Sequence, residues 1–444
     1  MRRQVIMRRL IIGKINLFAA CILILVAISI CFTGSIMAKD IGGQITVWAW
    51  PGAVESLETT LPSFHAKYPN VNVKIIAITA GDPIVQKFLA ASTAGSGAPD
   101  VIGIDGVHVQ NYIKKGVLLD ITDRMKPLKD KFVAYKMAEI ADDAGRMYAV
   151  PWDVGPVGLY YRQDIFKQCG LNVPETWNDY IAVGKKFRAK GNYAITSLIT
   201  TGDTYWIEAL FRQLENSVFN RAGDVTLDRE KTKKTLTLLK NMFDSGITYN
   251  PGATSYVNGW TPAFWSAMRD GRIVTYVGAA WMVNVYKSYI KAGDGGYGEW
   301  RIAPLPSFGS NGVRTSNLGG SNLGISPLSK NVDAAWAFIE HAVATVEGQR
   351  VQAAYGTFPA YLPALKDPQV LNHTEPLFGP QKINKLFADL QASVPVAYYR
   401  PPAYLEGILA ATETMGDVMI EKEPVDQAIS KLIERLNNIA KQYK

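Results

Sequence analysis

Apolar and polar positions alternate along the chain in two periods. Residues 44–50, Gln-Ile-Thr-Val-Trp-Ala-Trp, form a short β-rich run closed by Pro51-Gly52. A helical stripe follows at Val54, Leu57, Leu61 and Phe64, and Pro62 inside it should kink or shorten the helix. After Tyr68-Pro69-Asn70 a second strand is expected over 71–78, then a helix over 83–94 ended by Gly95-Ser96-Gly97, then a short buried strand over 101–104. Strand–helix–strand–helix–strand at this spacing predicts an α/β fold with a parallel sheet covered by helices. Ligands of such sheets bind beyond the carboxyl ends of the strands, here at Trp48/Trp50 and Asp105/Gly106.

Further on, 145–153 and 158–162 are strand-like runs around a Gly/Pro turn. Thr176-Trp177-Asn178-Asp179 has the form of a capping box, in which the Thr oxygen and Asp carboxylate satisfy free N–H groups at a helix start. Amphipathic helices are predicted over 231–243, 333–344 and 424–441, the last with Pro424 at its first turn and an apolar stripe at Ala428, Ile429, Leu432, Leu436 and Ile439. There is no internal repeat and no low-complexity segment.

The chain has 444 residues, 48% hydrophobic and 19% charged, which excludes a disordered or fibrous protein and suggests two or three domains. Its net charge of +8 belongs mostly to the N-terminus. Arg2, Arg3, Arg8, Arg9 and Lys14 precede residue 38 with no acid among them, and without them the balance is 42 basic against 39 acidic residues. The body therefore lacks the clustered Lys/Arg of a nucleic-acid binder. The charged start, the apolar run from Leu17 to Phe32 and the small-residue stretch 33–38 predict a signal peptide over 1–38, cleaved after Ala38. An uncleaved anchor stays open beside this, although a 16-residue run is short against the ~20 that span a bilayer. A lipoprotein signal is not matched, since Cys21 falls early in the run and Ile30 before Cys31 is too large. Export leaves Cys169 alone, so no intramolecular disulfide forms. The four histidines (His65, His108, His341, His373) have no ligand spacing, so no metal or cofactor is expected.

Five pieces in order resemble the extracellular solute-binding proteins of ABC importers, in the sugar-binding, maltose-binding-protein-like group. They are Ile45–Trp48 with Phe64–Val73; Gly97–Val101 with Gly116–Ile121; Tyr148–Asp153 running into Gly158–Asp164, with Pro174–Trp177; Met268–Arg272 leading to Val277–Trp281; and Gly319–Ser326 with Ser329–Asn331 and Ala335-Trp336. The tail beyond about residue 360 is matched only by its final amphipathic helix. The resemblance implies a two-lobe periplasmic-binding-protein fold with a hinge and an interlobe ligand cleft. One lobe would take 39–155 and 303–355, the other 156–302 and 356–444. It further implies a monomer outside the cytoplasm that carries a carbohydrate ligand to the permease subunits of a membrane transporter.

A sugar offers flat C–H faces and many hydroxyls, so its site needs aromatic platforms and polar side chains. The chain has 10 Trp and 21 Tyr. The candidates that sit beside turns or small polar residues are Trp48, Trp50, Trp152, Trp206, Trp281 and Tyr398; Trp260 and Tyr399 share that setting, while Trp177 and Trp336 are expected in the core. Trp48 and Trp50 are two apart and should share a strand face. Trp281 matches the family's Gly-x-x-Trp piece. Asp105 is both a candidate acceptor for two vicinal hydroxyls and a candidate N-cap near Val107. Asp153 lies at the expected lobe crossover, Gly320 and Ser321 offer close backbone approach, and Arg400 offers donors to hydroxyls.

Two other classes compete. A secreted glycoside hydrolase would share the aromatic cleft and need two carboxylates, but no Gly-x-Ser-x-Gly, His-Glu-x-x-His or P-loop occurs and no catalytic residue is assigned. A ferric-ion binder would use a Tyr pair, as at Tyr160-Tyr161 or Tyr398-Tyr399, yet neighbouring strand residues point to opposite faces.

Overall fold

The computed structural model describes residues 41–198, 204–249, 261–396 and 398–443. The expected leader with Cys21 and Cys31, and Trp260, lie outside the described residues. Strand β1 (Gly43–Ala49) ends just before Trp50, which opens helix α1 (Pro51–Glu58). The apolar stripe over 54–64 is split, as Pro62 demands: α2 (Leu61–Lys67) starts afresh with the proline in its first turn, where a missing N–H leaves no bond unmade. Next come β2 (Val71–Ala77), α3 (Asp82–Thr93) and β3 (Val101–Asp105). β1 pairs in parallel with both β2 and β3.

The two strand-like runs around the Gly/Pro turn belong to different sheets. Past α4 (Ala134–Ile140), β4 (Ala149–Pro151) joins the first sheet and β5 (Val157–Arg162) the second. The second sheet holds β5 between β6 (Thr275–Ala279) and β7 (Trp300–Pro304), both antiparallel to it. The chain then returns to the first sheet as β8 (Ser321–Ile325), antiparallel to β3 and β4, giving the order β2-β1-β3-β8-β4. The return crossing therefore lies later than the expected 302/303, because Ala303 and Pro304 complete the ladder against Leu159 and Gly158. The last crossing is also later than 355/356: Pro359 still bridges Asp153, and Tyr361 bridges Phe132.

Alternation assigns each strand face to a core. Ile45, Val47 and Ala49 of β1 point into one cluster, and Trp48 into another with Ile102, Ile104, Phe88 and Tyr112. In the second sheet Tyr160 and Tyr276 face the core shared with the first sheet. Val157, Leu159, Val277 and Ala279 face a separate core. Helices close that second core: α5 (Trp177–Lys190), α6 (Tyr205–Gln213), α7 (Arg229–Asp244), α10 (Tyr404–Met419) and α11 (Val425–Tyr443), while α8 (Val332–Val343) packs on the first sheet and α9 (Val346–Tyr355) on α8 and α1. The Thr176/Asp179 capping box is formed as read, and the five stripe residues of α11 are all buried.

Candidate functional site

Three connections between the sheets lie side by side. Leu318 donates its N–H to Gly155 (2.9 Å), Val157 to Ser316 (3.0 Å) and Val154 to Phe358 (3.1 Å). Gly155 is required here, since any side chain would collide with the Leu318 carbonyl oxygen. Beside this seam the carboxyl ends of β1, β3 and β4 and the start of β8 converge, with Asp105 paired opposite Ser321.

The turn Gly319–Gly320 forms the floor, both residues holding left-handed backbone (φ 68° and 96°) that a side chain would strain. Both of its carbonyls are engaged. Gly106 N–H and Lys136 Nζ donate to the Gly320 carbonyl (3.0 and 3.2 Å), and Asn317 Nδ2 and Arg400 Nη1 to the Gly319 carbonyl (3.0 and 3.3 Å). Ser321 N–H donates to Asp153 Oδ1 at 2.6 Å, and Trp152 N–H to the Ser321 carbonyl at 2.9 Å.

One flank of the turn is ionic and buried. Lys136 on α4 pairs with Glu139, which also accepts from Asn322 Nδ2 at 2.8 Å. Arg400 pairs with Glu208 of α6 and lies 3.6 Å from Glu139, so this side chain ties the helix of one sheet to that of the other. Burial raises the Glu139 carboxyl, but Lys136, Arg400 and the donated hydrogen bonds outweigh it and hold the group below its ordinary value. Burial likewise pulls Arg400 down, and Glu208, Tyr404, Glu139 and Asp105 more than reverse it. Asp153 goes the other way: desolvation dominates over the Ser321 N–H and Lys136, and its carboxyl is raised. Tyr135 donates to Asn317 Oδ1 at 2.5 Å. At the rim Arg221 donates to the Ala141 and Asp142 carbonyls (3.1 and 2.7 Å), another tie across the seam.

The other flank is aromatic. Trp281, just past β6, is half-buried; its Nε1 donates to the Leu318 carbonyl at 3.0 Å, and its ring meets Tyr205 edge-on at 5.6 Å. Trp50 is half-buried and lies 6.2 Å from Trp152, whose Nε1 donates to Gln352 Oε1 at 2.6 Å.

Of the residues singled out from sequence, Asp105, Asp153, Trp281, Gly320, Ser321 and Arg400 gather at this turn, and Trp50 and Trp152 lie beside it. Asp105 is exposed, and its Oδ1 accepts from Val107 N–H at 3.3 Å, so it acts as the cap as well. Trp48 and Trp206 are placed elsewhere. Because β1 ends at Ala49, Trp50 leaves the strand, while Trp48 stays on the helix-covered face under Lys87. Trp206 is buried in the second core, its Nε1 bonded to the Ser197 carbonyl at 3.1 Å and its ring beside Trp177. Tyr398 is buried against Tyr404 (2.9 Å between hydroxyls). Sequence reasoning missed Lys136, Glu139, Glu208 and Arg212. Their signals were pairs of charges three or four apart, one in an otherwise apolar helix, Tyr205–Gln213. Among the described residues no cluster of three His, Cys, Asp or Glu is arranged to hold a metal, and no helix is long and apolar enough to cross a membrane. Tyr160 donates to the Ala279 carbonyl inside the core.

Residues 61–375 match the family of bacterial extracellular solute-binding proteins, most of the chain. The chain belongs to that family. This solute-binding protein is 26% identical over 319 residues to an arabinooligosaccharide-binding protein of Halalkalibacterium halodurans, covering 69% of each chain. It is 23% identical to a lactose-binding protein of Rhizobium radiobacter over 88% of its own length and 91% of the relative's. Among solved structures it is similar to an ABC-transporter-associated binding protein of B. animalis subsp. lactis Bl-04 in complex with β-1,6-galactobiose, with TM-score 0.75, 26% identity, and coverage of 90% and 98%. The GacH receptor of Streptomyces glaucescens shares the fold at TM-score 0.76 and 20% identity, with coverage of 91% and 100%. These relatives are binding proteins, and the two-sheet α/β architecture of the solute-binding protein is theirs.

Proposed function

We propose that this solute-binding protein is the extracytoplasmic component of an ABC importer, capturing a mono- or oligosaccharide between its lobes and presenting it to the membrane permease. The observation that carries this is the meeting, at the seam of the two sheets, of a half-buried tryptophan with carboxylates, an arginine and an open glycine turn. Trp281 offers an aromatic face for a sugar ring, and Trp50 extends the apolar side. Asp105, exposed at its strand end, accepts from hydroxyls. The relatives named for arabinooligosaccharide and lactose, and the galactobiose complex, point the same way. One lobe comprises 39–155 with β8 and the segment around it, the other the remainder. Contacts from both lobes to one ligand would shift the population toward the closed arrangement. A monomer suffices for this role, and so does a chain with no catalytic group.

A thermal-shift screen of the exported protein against a sugar panel tests the reading. A ligand at 100 times its Kd adds ~2.7 kcal/mol of stability. An oligosaccharide that binds is expected to remain intact, with no reducing sugar released. A panel that leaves the melt unmoved contradicts the proposal.

A further inference from the structure

Two arginines are buried at the seam, and their surroundings differ. Arg400 has Glu208 and, more distantly, Glu139. Arg212, one turn along α6 from Glu208, has only 2% of its surface exposed and makes no ion pair among the described residues. Its guanidinium lies between two phenol rings, 4.6 Å from the centre of Tyr135 and 4.9 Å from that of Tyr398. Its Nε and Nη2 are buried with no hydrogen-bond partner. The acids nearby are already taken: Glu139 by Lys136 and Asn322, and Glu208 by Arg400. Burial pulls the Arg212 guanidinium below its ordinary value, and the neighbouring groups do not restore it as they do for Arg400.

A buried, uncompensated cation is costly, and an anion that pairs with it removes that cost. The two unpartnered nitrogens are the side edge of the guanidinium, the fork that takes two oxygens of one carboxylate in parallel hydrogen bonds. Arg212 lines a cavity of about 30 Å³ together with Gln110, Glu139, Arg221 and Arg400. That volume is room for about two water-sized atoms, which matches the two oxygens of a carboxylate. Tyr135 comes from the first lobe and Tyr398 from the second, so parting of the lobes uncovers one face of the guanidinium to an entering ligand.

We infer that the ligand is an acidic saccharide, a sugar bearing a uronic-acid carboxylate, with Arg212 as the residue that receives the carboxylate. This rests on the sugar-binding reading above and narrows it. Neutral hydroxyls fill the same hydrogen bonds but leave the charge uncompensated.

The test is calorimetric titration of the exported protein with galacturonate and glucuronate and their disaccharides, each against the same sugar after reduction of the carboxyl to an alcohol. A uronate should bind about 10–100-fold tighter than its reduced counterpart, the value of a hydrogen-bonded charge. Arg212→Met, close in volume, should abolish that preference and melt no lower than the parent. Arg212→Lys keeps the charge without the fork and should retain only part of the preference. Reduced sugars that bind as tightly as uronates overturn this inference and leave the sugar-binding reading standing. Binding of acetate alone, with no saccharide of either kind, overturns both, as does a panel with no binding. A uronate preference that persists in Arg212→Met overturns the assignment to Arg212.

Discussion

The two flanks of the Gly319–Ser321 turn are built on different physics. On the aromatic flank, Trp281 and Trp50 are half-buried, Trp281 tied to the turn through its Nε1 and Trp50 set beside Trp152. On the ionic flank, Lys136, Glu139, Glu208 and Arg400 are withdrawn from water and bonded to one another and to the turn's carbonyls. A ring can hold a ligand without altering the fold around it. A buried charge network is committed to geometry first, because removing one member strands its partner. Under the proposed function the flanks divide the labour, the rings receiving the sugar and the Lys136–Glu139–Glu208–Arg400 network fixing the floor and joining the lobes, with Arg212 beside that network left for a carboxylate. Their variants should separate accordingly, binding on one side and stability on the other.

The largest effect expected is on the ionic flank. Glu208→Ala leaves Arg400 with only the more distant Glu139, and chemical denaturation should show a loss of ~3–5 kcal/mol. The double replacement Glu208→Leu with Arg400→Met removes both charges together and should recover much of that loss. A single variant as stable as the parent would show that the pair does not hold the seam.

Acidification sharpens the same contrast. The Glu139 carboxyl is held below its ordinary value of 4.5, so its contribution to stability is fully present above 4.5 and is lost as pH falls through the lower folded value. Asp153 is raised and acts with the opposite sign, its contribution present at low pH and lost as pH rises through its folded value. Melts recorded downward from neutral pH should fall below 4.5 in the parent and fall less steeply in Glu139→Gln. Equal slopes would mean that Glu139 is not the group responsible.

The smallest effect should lie outside both flanks. Thr176→Ala breaks the capping box of α5 and should cost ~0.5–2 kcal/mol in a melt while leaving ligand affinity unchanged. A change in affinity would show that the second lobe transmits strain to the site, against the separation drawn here.

The aromatic flank, the glycine turn and Arg400 were legible in sequence, and the rest of the ionic flank was not. Trp281 stood after three small residues and Gly319-Gly320 after a polar run, signals that are local to the chain. Lys136 with Glu139, and Glu208 with Arg212, were charge pairs at helical spacing, which normally mark a solvated face. Only the packing of two distant helices against β8 and the 400 region turns those faces inward. Trp48 shows the converse: it stays on the helix-covered face of the first sheet, while Trp50, which alternation alone would keep on that face, leaves the strand because β1 ends at Ala49. The parallel pairing of the first three strands followed from their spacing; the antiparallel entry of β8 into that sheet and the wholly antiparallel second sheet did not. Nor did the points where the chain crosses between the sheets, since β7 runs to Pro304 and the bridge at Tyr361 depends on pairings between residues more than a hundred apart.

The central claim is that solute is held at the seam against Trp281. Titration calorimetry of the parent and Trp281→Ala, using whichever saccharide the screen identifies, tests it most directly, with a melt on the same samples. The variant should lose ~1–3 kcal/mol of binding free energy, the value of an aromatic anchor at the centre of a site, while its melt stays near the parent's. A variant that melts ~3–5 kcal/mol less stable, as a core tryptophan would, yet binds the saccharide with the parent's affinity would contradict it.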